Sequence, residues 1–208
     1  MNMIELFSGS EIMASEFERT GYDTLTVDKY IETADVVCDI KNFEIGFESY
    51  DVLWASPPCT TFSVASISTH WTGGKEAYIP KTIKCQIGLA MLEKTILLIR
   101  INKPKYWFIE NPRGVMRKVI DKIFQKHGIK DYVRHTVTYC QYGDKRMKPT
   151  DIWTNNKNWK PRPMCKNGMS CHVSAPRGAK TGTQGLKNNY ERSKLPKELC
   201  VEIVKSCT

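Results

Sequence analysis

Four short apolar runs, each ending at a turn and separated by segments of helical periodicity, leave this chain few folds to choose from. Met3 to Phe7 reads as a buried strand ending in the Ser8-Gly9-Ser10 turn, and Ile12 to Arg19 follows as a helix closed by Gly21. Thr24 to Val27 reads as a second strand, ending on Asp28. Asp51 to Trp54 is a third, ending at Ser56-Pro57-Pro58-Cys59, and Tyr106 to Ile109 a fourth, breaking at Asn111-Pro112. Between Lys81 and Ile101, residues Ile83, Ile87, Ala90, Met91, Leu97, Leu98 and Ile101 recur at helical spacing, and Val115 to Lys126 reads as a further helix. Strand–turn–helix units in this order predict an α/β fold with a mostly parallel sheet wrapped by helices. In such sheets a ligand sits at the carboxyl ends of the strands, where the turns just named fall.

The second half reads differently. Val133 to Cys140 and Ile152 to Thr154 look like strands, and Pro196 to Lys205 closes the chain as a helix with proline at its start. Residues 155–189 are rich in Gly, Pro, Asn and Lys with little period, and are too few for a second domain. Residues 1–208 are therefore expected to form a single domain, with 155–189 as a small irregular polar lobe within it. The longest apolar stretch, Ile83 to Ile101, is broken by Lys84, Gln86, Glu93, Lys94 and Arg100, so no bilayer span is expected. The N-terminus lacks signal-peptide character, and a soluble, cytoplasmic protein with reduced cysteines is the expectation. A formal charge of +9 favours an anionic partner, though a solvated lysine-rich surface explains the charge equally well.

Three positions carry chemistry. Phe7, Ser8, Gly9 and Ser10 form a strand–helix turn where a nucleotide-like ligand can approach backbone amides. Asp28 is placed to accept hydrogen bonds from ribose hydroxyls, and Asp39-Ile40 offers a carboxylate and an apolar face to an adenine edge. Singly these acids read as caps or solvated charges; in this order they suggest an adenosine-containing cofactor. Pro57-Pro58-Cys59-Thr60-Thr61-Phe62-Ser63 holds a cysteine at the mouth of a strand, where two prolines force the chain out of the sheet and expose the thiol. Glu110, at the end of Tyr106-Trp107-Phe108-Ile109, is expected to be partly desolvated with a raised pKa, able to carry a proton. Without Cys59, a capping glutamate would be the preferred reading.

In these segments the chain resembles the DNA cytosine-5 methyltransferases. Ile4-Glu5-Leu6-Phe7-Ser8-Gly9 is similar to their first motif, and Asp28 and Asp39-Ile40 stand where they carry the ribose-binding acid and the adenine-contacting pair. Pro57 to Ser63 matches their nucleophile motif with Thr60 in place of Gln, and Glu110-Asn111-Pro112 matches Glu-Asn-Val. Tyr142-Gly143 opens a segment similar to their basic motif, and Arg192-Ser193-Lys194-Leu195-Pro196 resembles the last motif. Glu11 and Ile12 depart from the first motif's second glycine pair. Lys148 and Thr150 fall where two arginines are expected, with Arg146 nearby, so Thr150 provides no charged contact. Only 155–189 stands where the family carries a large target-recognition region.

The resemblance implies a Rossmann-like fold that binds S-adenosylmethionine through Phe7, Ser8, Gly9, Ser10, Asp28, Asp39, Ile40 and Pro58. It implies Cys59 as nucleophile on carbon 6 of cytosine and Glu110 as the acid at nitrogen 3. Ser56, Pro57, Asn111, Arg146, Lys148 and Thr150 would contact substrate. The implied partner is nucleic acid, DNA first, with the base flipped out of its stack and target recognition minimal or supplied by another protein. RNA cytosine methylation, a variant cytosine modification and a catalytically weak nucleic-acid-binding module are the alternatives. Separately, Cys140, Cys165, Cys171 and His172 make a sufficient ligand set for a structural zinc, although their spacing matches no recognised zinc pattern. Without a metal, the lobe would have to be ordered by packing, or by nucleic acid itself through Lys160, Arg162, Lys166, Arg177 and Lys180.

Overall fold

A computed structural model describes residues 1–46, 49–174, 186 and 188–208. Its main sheet has seven strands: β1 (Asn2–Leu6), β2 (Asp23–Asp28), β3 (Val36–Val37), β4 (Val52–Ala55), β5 (Tyr106–Pro112), β6 (Val133–Thr138) and β7 (Pro149–Thr154). They lie in the order β3-β2-β1-β4-β5-β7-β6, with every neighbouring pair from β3 to β5 parallel and β7 antiparallel to both its neighbours. The main helices are α1 (Ile12–Glu18), α2 (Ile83–Asn102), α3 (Met116–Lys126) and α4 (Lys197–Cys207). Among the described residues, no helix is long and apolar enough to cross a membrane.

The central strands β1, β4 and β5 are largely apolar on both faces because both faces are covered. Ile4, Leu6, Leu53, Ala55, Trp107 and Ile109 point to one side and pack with Leu92, Ile96 and Ile99 of α2 and Ile120 and Phe124 of α3. Met3, Val52, Trp54 and Phe108 point to the other and pack with Met13 and Phe17 of α1 and Leu199, Ile203 and Val204 of α4. Each such side chain, fully buried, contributes about 1.5–3 kcal/mol.

Three elements depart from the sequence expectation. Strand β5 does not break at Asn111-Pro112 but runs through Pro112, because the antiparallel β7 supplies partners there: Glu110 pairs with Ile152 and Asn111 with Asp151. Strand β4 stops opposite Ile109, so Glu110 lies one residue beyond its parallel neighbour. The run expected to reach Cys140 leaves the sheet at Thr138 and turns through a 3-10 helix, Tyr139–Tyr142, closed by Gly143 at φ 82°. Between Val64 and Pro80, where no element was expected, short helical turns flank a small antiparallel pair, Trp71–Thr72 with Ile79–Pro80.

One strand residue is anomalous. Glu5 of β1 is buried, and its carboxylate accepts the Ala14 amide at 2.8 Å, capping a helix whose own N-cap residue makes no side-chain cap. Burial pushes its carboxyl up to about 8, well above the ordinary 4.5. The folded protein therefore holds a proton that the unfolded chain releases, and stability falls as pH rises from about 4.5 to 8. Glu5→Gln keeps the cap and removes the titration. Relative to the wild type, the variant should gain stability between pH 5 and pH 8.5, by at most about 5 kcal/mol, in urea unfolding. An unchanged difference at the two pH values would show that Glu5 is ionised throughout.

Candidate active site

The strand order reverses between β1 and β4, and the carboxyl ends of β1, β2, β4 and β5 surround one cavity of about 640 Å³. This is where parallel sheets of this kind place ligands. One end is lined by Phe7, Ser8, Gly9, Ser10, Asp28, Lys29, Tyr30, Asp39 and Ile40. The other is lined by Ser56, Pro57, Pro58, Cys59, Glu110, Lys148 and Arg192.

The first end is built by an unusual turn. Phe7, Gly9 and Glu11 all take positive φ (59°, 53° and 53°), and the Phe7 and Ser8 amides donate to the Val27 carbonyl at 2.8 and 3.2 Å. Glu11 adopts the conformation that a glycine takes freely, and its carboxylate accepts a hydrogen bond from Thr33 Oγ1. Asp28 accepts from the Gly9 amide at 3.1 Å and the Tyr30 amide at 2.8 Å, which orients its carboxylate at the cavity edge. Burial alone would raise the Asp39 carboxyl, but the Lys41 amide and the Lys29 and Lys41 ammonium groups hold it below the ordinary value. Ser8 Oγ is buried in the cavity wall with no hydrogen-bond partner among the described residues. A buried hydroxyl left in that state calls for a polar ligand.

At the second end three anchors pin the cysteine loop. Asn111 Nδ2 donates to the Pro57 carbonyl at 2.7 Å, Trp71 Nε1 to Thr61 at 2.7 Å, and the Val115 amide to Phe62 at 2.7 Å. The last contact requires glycine at 114, where a Cβ would lie 2.2 Å from the Phe62 oxygen. Cys59 is thereby presented to the cavity as an exposed thiol. The protein walls around it and then the nearby Glu110 carboxylate push its pKa up, while Lys148 and Arg192 pull it down. Glu110 is itself buried. Desolvation raises its pKa against the opposing effects of Lys148, the Tyr139 hydroxyl and Ser56, with Tyr139 donating to Oε1 at 3.0 Å.

Three comparisons with known proteins bear on this geometry. The profile of the family described as C-5 cytosine-specific DNA methylase matches residues 1–135, the span that contains Cys59 and Glu110. The chain belongs to that family. It is also similar to the "Probable DNA (cytosine-5)-methyltransferase" of frog virus 3 (isolate Goorha), at 27% identity over the full length of both chains. Among solved structures, a prophage-encoded Escherichia coli methyltransferase assigned to DNA modification aligns with a TM-score of 0.55 at 15% identity. That alignment covers 79% of this chain and 52% of the other, so the chain spans about half the length of the solved relative. At this identity the likeness speaks for the fold alone, a Rossmann-like methyltransferase fold.

All eight expected cofactor residues line the cavity, as do Cys59, Glu110, Ser56, Pro57 and Lys148. Asn111, Arg146 and Thr150 lie behind it. Asn111 holds Pro57, and Thr150 donates its hydroxyl to the Lys148 carbonyl at 3.1 Å. Arg146 is engaged by the Asp144 carboxylate and by the Glu191, Arg192 and Lys194 carbonyls, at 3.1, 3.0 and 3.2 Å for the last three. Rather than lining the cavity, its guanidinium fastens residues 191–194, of which Arg192 and Ser193 line it. Lys148 Nζ reaches the Arg192 carbonyl at 3.0 Å and faces both Glu110 and Cys59. Sequence reasoning missed Tyr139, Arg192 and Tyr30. Tyr139 gives no local signal, since only the fold brings it from the end of β6 to Glu110. Arg192 stands in a segment whose resemblance to the last motif was noted, which could have drawn attention to it. Arg177 and Lys180, expected on the polar lobe, lie outside the described residues.

Proposed function

We propose that this chain methylates carbon 5 of cytosine in DNA, with Cys59 as covalent nucleophile and Glu110 as its acid. The observation that carries the proposal is that Cys59 and Glu110 open onto the same cavity as Phe7 to Ser10, Asp28 and Asp39. When bound, S-adenosylmethionine supplies an electrophilic methyl group. The Ser8 hydroxyl, without a hydrogen-bond partner among the described residues, the accepting Asp28 carboxylate and the apolar Ile40 suit its amino-acid, ribose and adenine parts respectively. Cys59 adds as thiolate to carbon 6 of a flipped cytosine, which makes carbon 5 nucleophilic. After methylation, loss of the carbon-5 proton breaks the carbon 6–sulfur bond and releases the Cys59 thiolate. Glu110 gives nitrogen 3 a proton, and Tyr139 and Ser56 hold the carboxyl in place. Lys148, half-buried between Glu110 and Cys59, favours the charged forms of both. The excess of 31 basic over 22 acidic residues suits a phosphate-bearing substrate.

Transfer of labelled methyl from S-adenosylmethionine decides the substrate. Label in cytosine of DNA, and a denaturation-resistant complex with DNA containing 5-fluorocytosine, are expected. Label confined to RNA would move the assignment to RNA, and binding without label would leave a nucleic-acid-binding module.

The cofactor end makes its own prediction. Asp28→Ala and Asp39→Ala should each weaken S-adenosylmethionine binding by about 1–3 kcal/mol, the loss expected when a ligand's polar group goes unpaired. Calorimetry measures it. Unchanged affinity in both variants would reduce Asp28 to a turn residue and Asp39 to a 3-10 helix cap.

A further inference from the structure

The polar lobe after β7 has no helix or strand among described residues 155–174, yet Trp159 and Cys165 in it are almost fully buried. Backbone hydrogen bonds alone do not explain how so irregular a segment keeps its shape. Its start is held by Asn155 to Trp107, Asn156 to Ser206, and Trp159 and Arg162 to Glu202 of α4. Further along, the Cys165 amide donates to Thr138 Oγ1 at 2.8 Å and the Val173 amide to the Lys145 carbonyl at 2.9 Å.

At the centre of these contacts four potential ligands converge. The Sγ atoms of Cys140, Cys165 and Cys171 and a ring nitrogen of His172 all lie within 4.8 Å of one another. Cys165 Sγ is 3.1 Å from Cys171 Sγ and 3.3 Å from His172 Nδ1. Cys171 Sγ is 3.7 Å from Cys140 Sγ and 3.8 Å from His172 Nδ1. Ligands about 2.3 Å (sulfur) and 2.0–2.1 Å (nitrogen) from a tetrahedral zinc stand about 3.4–3.8 Å apart, which is close to this spread. The sulfurs are too far apart for a disulfide, whose bond is about 2.05 Å. Gln141 Nε2 lies 3.3 Å from Cys171 Sγ, a donor of the kind that supports a metal-bound thiolate.

We propose that Cys140, Cys165, Cys171 and His172 bind one structural zinc ion that clips the polar lobe to the 3-10 helix following β6. All four positions are taken by protein, so the site is closed and has no place for a reacting water. Cys140 directly follows Tyr139, whose hydroxyl contacts Glu110. The ion thus holds the lobe to the segment that also positions the acid, without taking part in the chemistry.

The full-length protein, prepared in zinc-containing medium without chelators, should carry about one equivalent of zinc by elemental analysis. Replacing the zinc by cobalt(II) should give the intense visible bands of a tetrahedral site and a near-ultraviolet thiolate-to-cobalt band. Cys171→Ser should lower metal affinity by at least tenfold and weaken the thiolate band. Chelation should speed proteolysis within residues 155–174 while circular dichroism of the sheet persists. Protein that lacks metal and takes up neither zinc nor cobalt would overturn the proposal. So would a Cys165–Cys171 disulfide in the intact mass, or an octahedral cobalt spectrum. If Cys171→Ser fails to fold, the cobalt spectrum of the wild type alone decides between the outcomes.

Discussion

Cys59→Ser is expected to abolish methyl transfer, a loss on the order of 10⁴-fold or more, while S-adenosylmethionine binding stays within a few-fold of the wild type. The size follows from the chemistry. Carbon 5 of cytosine is a weak nucleophile until carbon 6 has been attacked, and a serine hydroxyl, far less acidic than a thiol, cannot make that attack at neutral pH. The selectivity follows from the geometry. Cys59 stands at the end of the cavity with Glu110, Lys148 and Arg192, whereas the turn at Phe7 to Ser10, Asp28 and Asp39 form the other end. The loop itself should keep its shape, because its anchors are the Pro57, Thr61 and Phe62 carbonyls and not the thiol. Cofactor calorimetry beside a methyl-transfer assay reads both halves. Turnover near that of the wild type would remove the covalent route, and a parallel collapse of cofactor binding would point to a misfolded loop.

What could be read from the sequence follows a physical division. Strands β1, β4 and β5 were legible because both faces of each are largely buried, so the apolar runs are nearly continuous and end sharply at turns. The nucleophile was legible because Pro57 and Pro58 are a local signal: their fixed backbone alone takes the chain out of the sheet and exposes the residue that follows. Residues whose roles depend on distant partners were not. Arg146 has the composition of a substrate contact, and only the return of residues 191–194 alongside it shows where its guanidinium goes. Glu110 was expected where the strand breaks. It lies instead inside a strand that β7 prolongs, and its access to the cavity comes from the earlier end of β4. The cysteine–histidine cluster shows the same division: its members were visible in the sequence, but their convergence needed the turn at Tyr139 to Tyr142.

Glu110→Gln should lower turnover by on the order of 10²-fold or more, since an amide keeps the shape and a hydrogen bond but delivers no proton to the ring. DNA affinity should change much less. The same substitution makes a second prediction of opposite sign. The Glu110 carboxylate raises the Cys59 pKa, so removing its charge should lower that pKa. Lys148 keeps its favourable effect on the thiolate, because the thiolate that forms becomes its countercharge. Alkylation of Cys59 by a small neutral reagent near pH 7.5 should therefore be severalfold faster in Glu110→Gln than in the wild type, even as catalysis falls. In the wild type the same linkage operates through substrate. A cytosine that takes the Glu110 proton would leave a carboxylate that opposes the thiolate, whereas one that shares the proton with a still-neutral acid would not. Burial raises the Glu110 pKa, so the protonated acid persists to higher pH than in a free carboxyl. Catalysis needs both an ionised Cys59 and a protonated Glu110, and the rate should rise and then fall with pH. Glu110→Gln should flatten the alkaline limb, leaving the ascending limb set by Cys59. A variant with slow turnover, unaltered alkylation and an unaltered alkaline limb would mean that Glu110 orients the base and is not its acid.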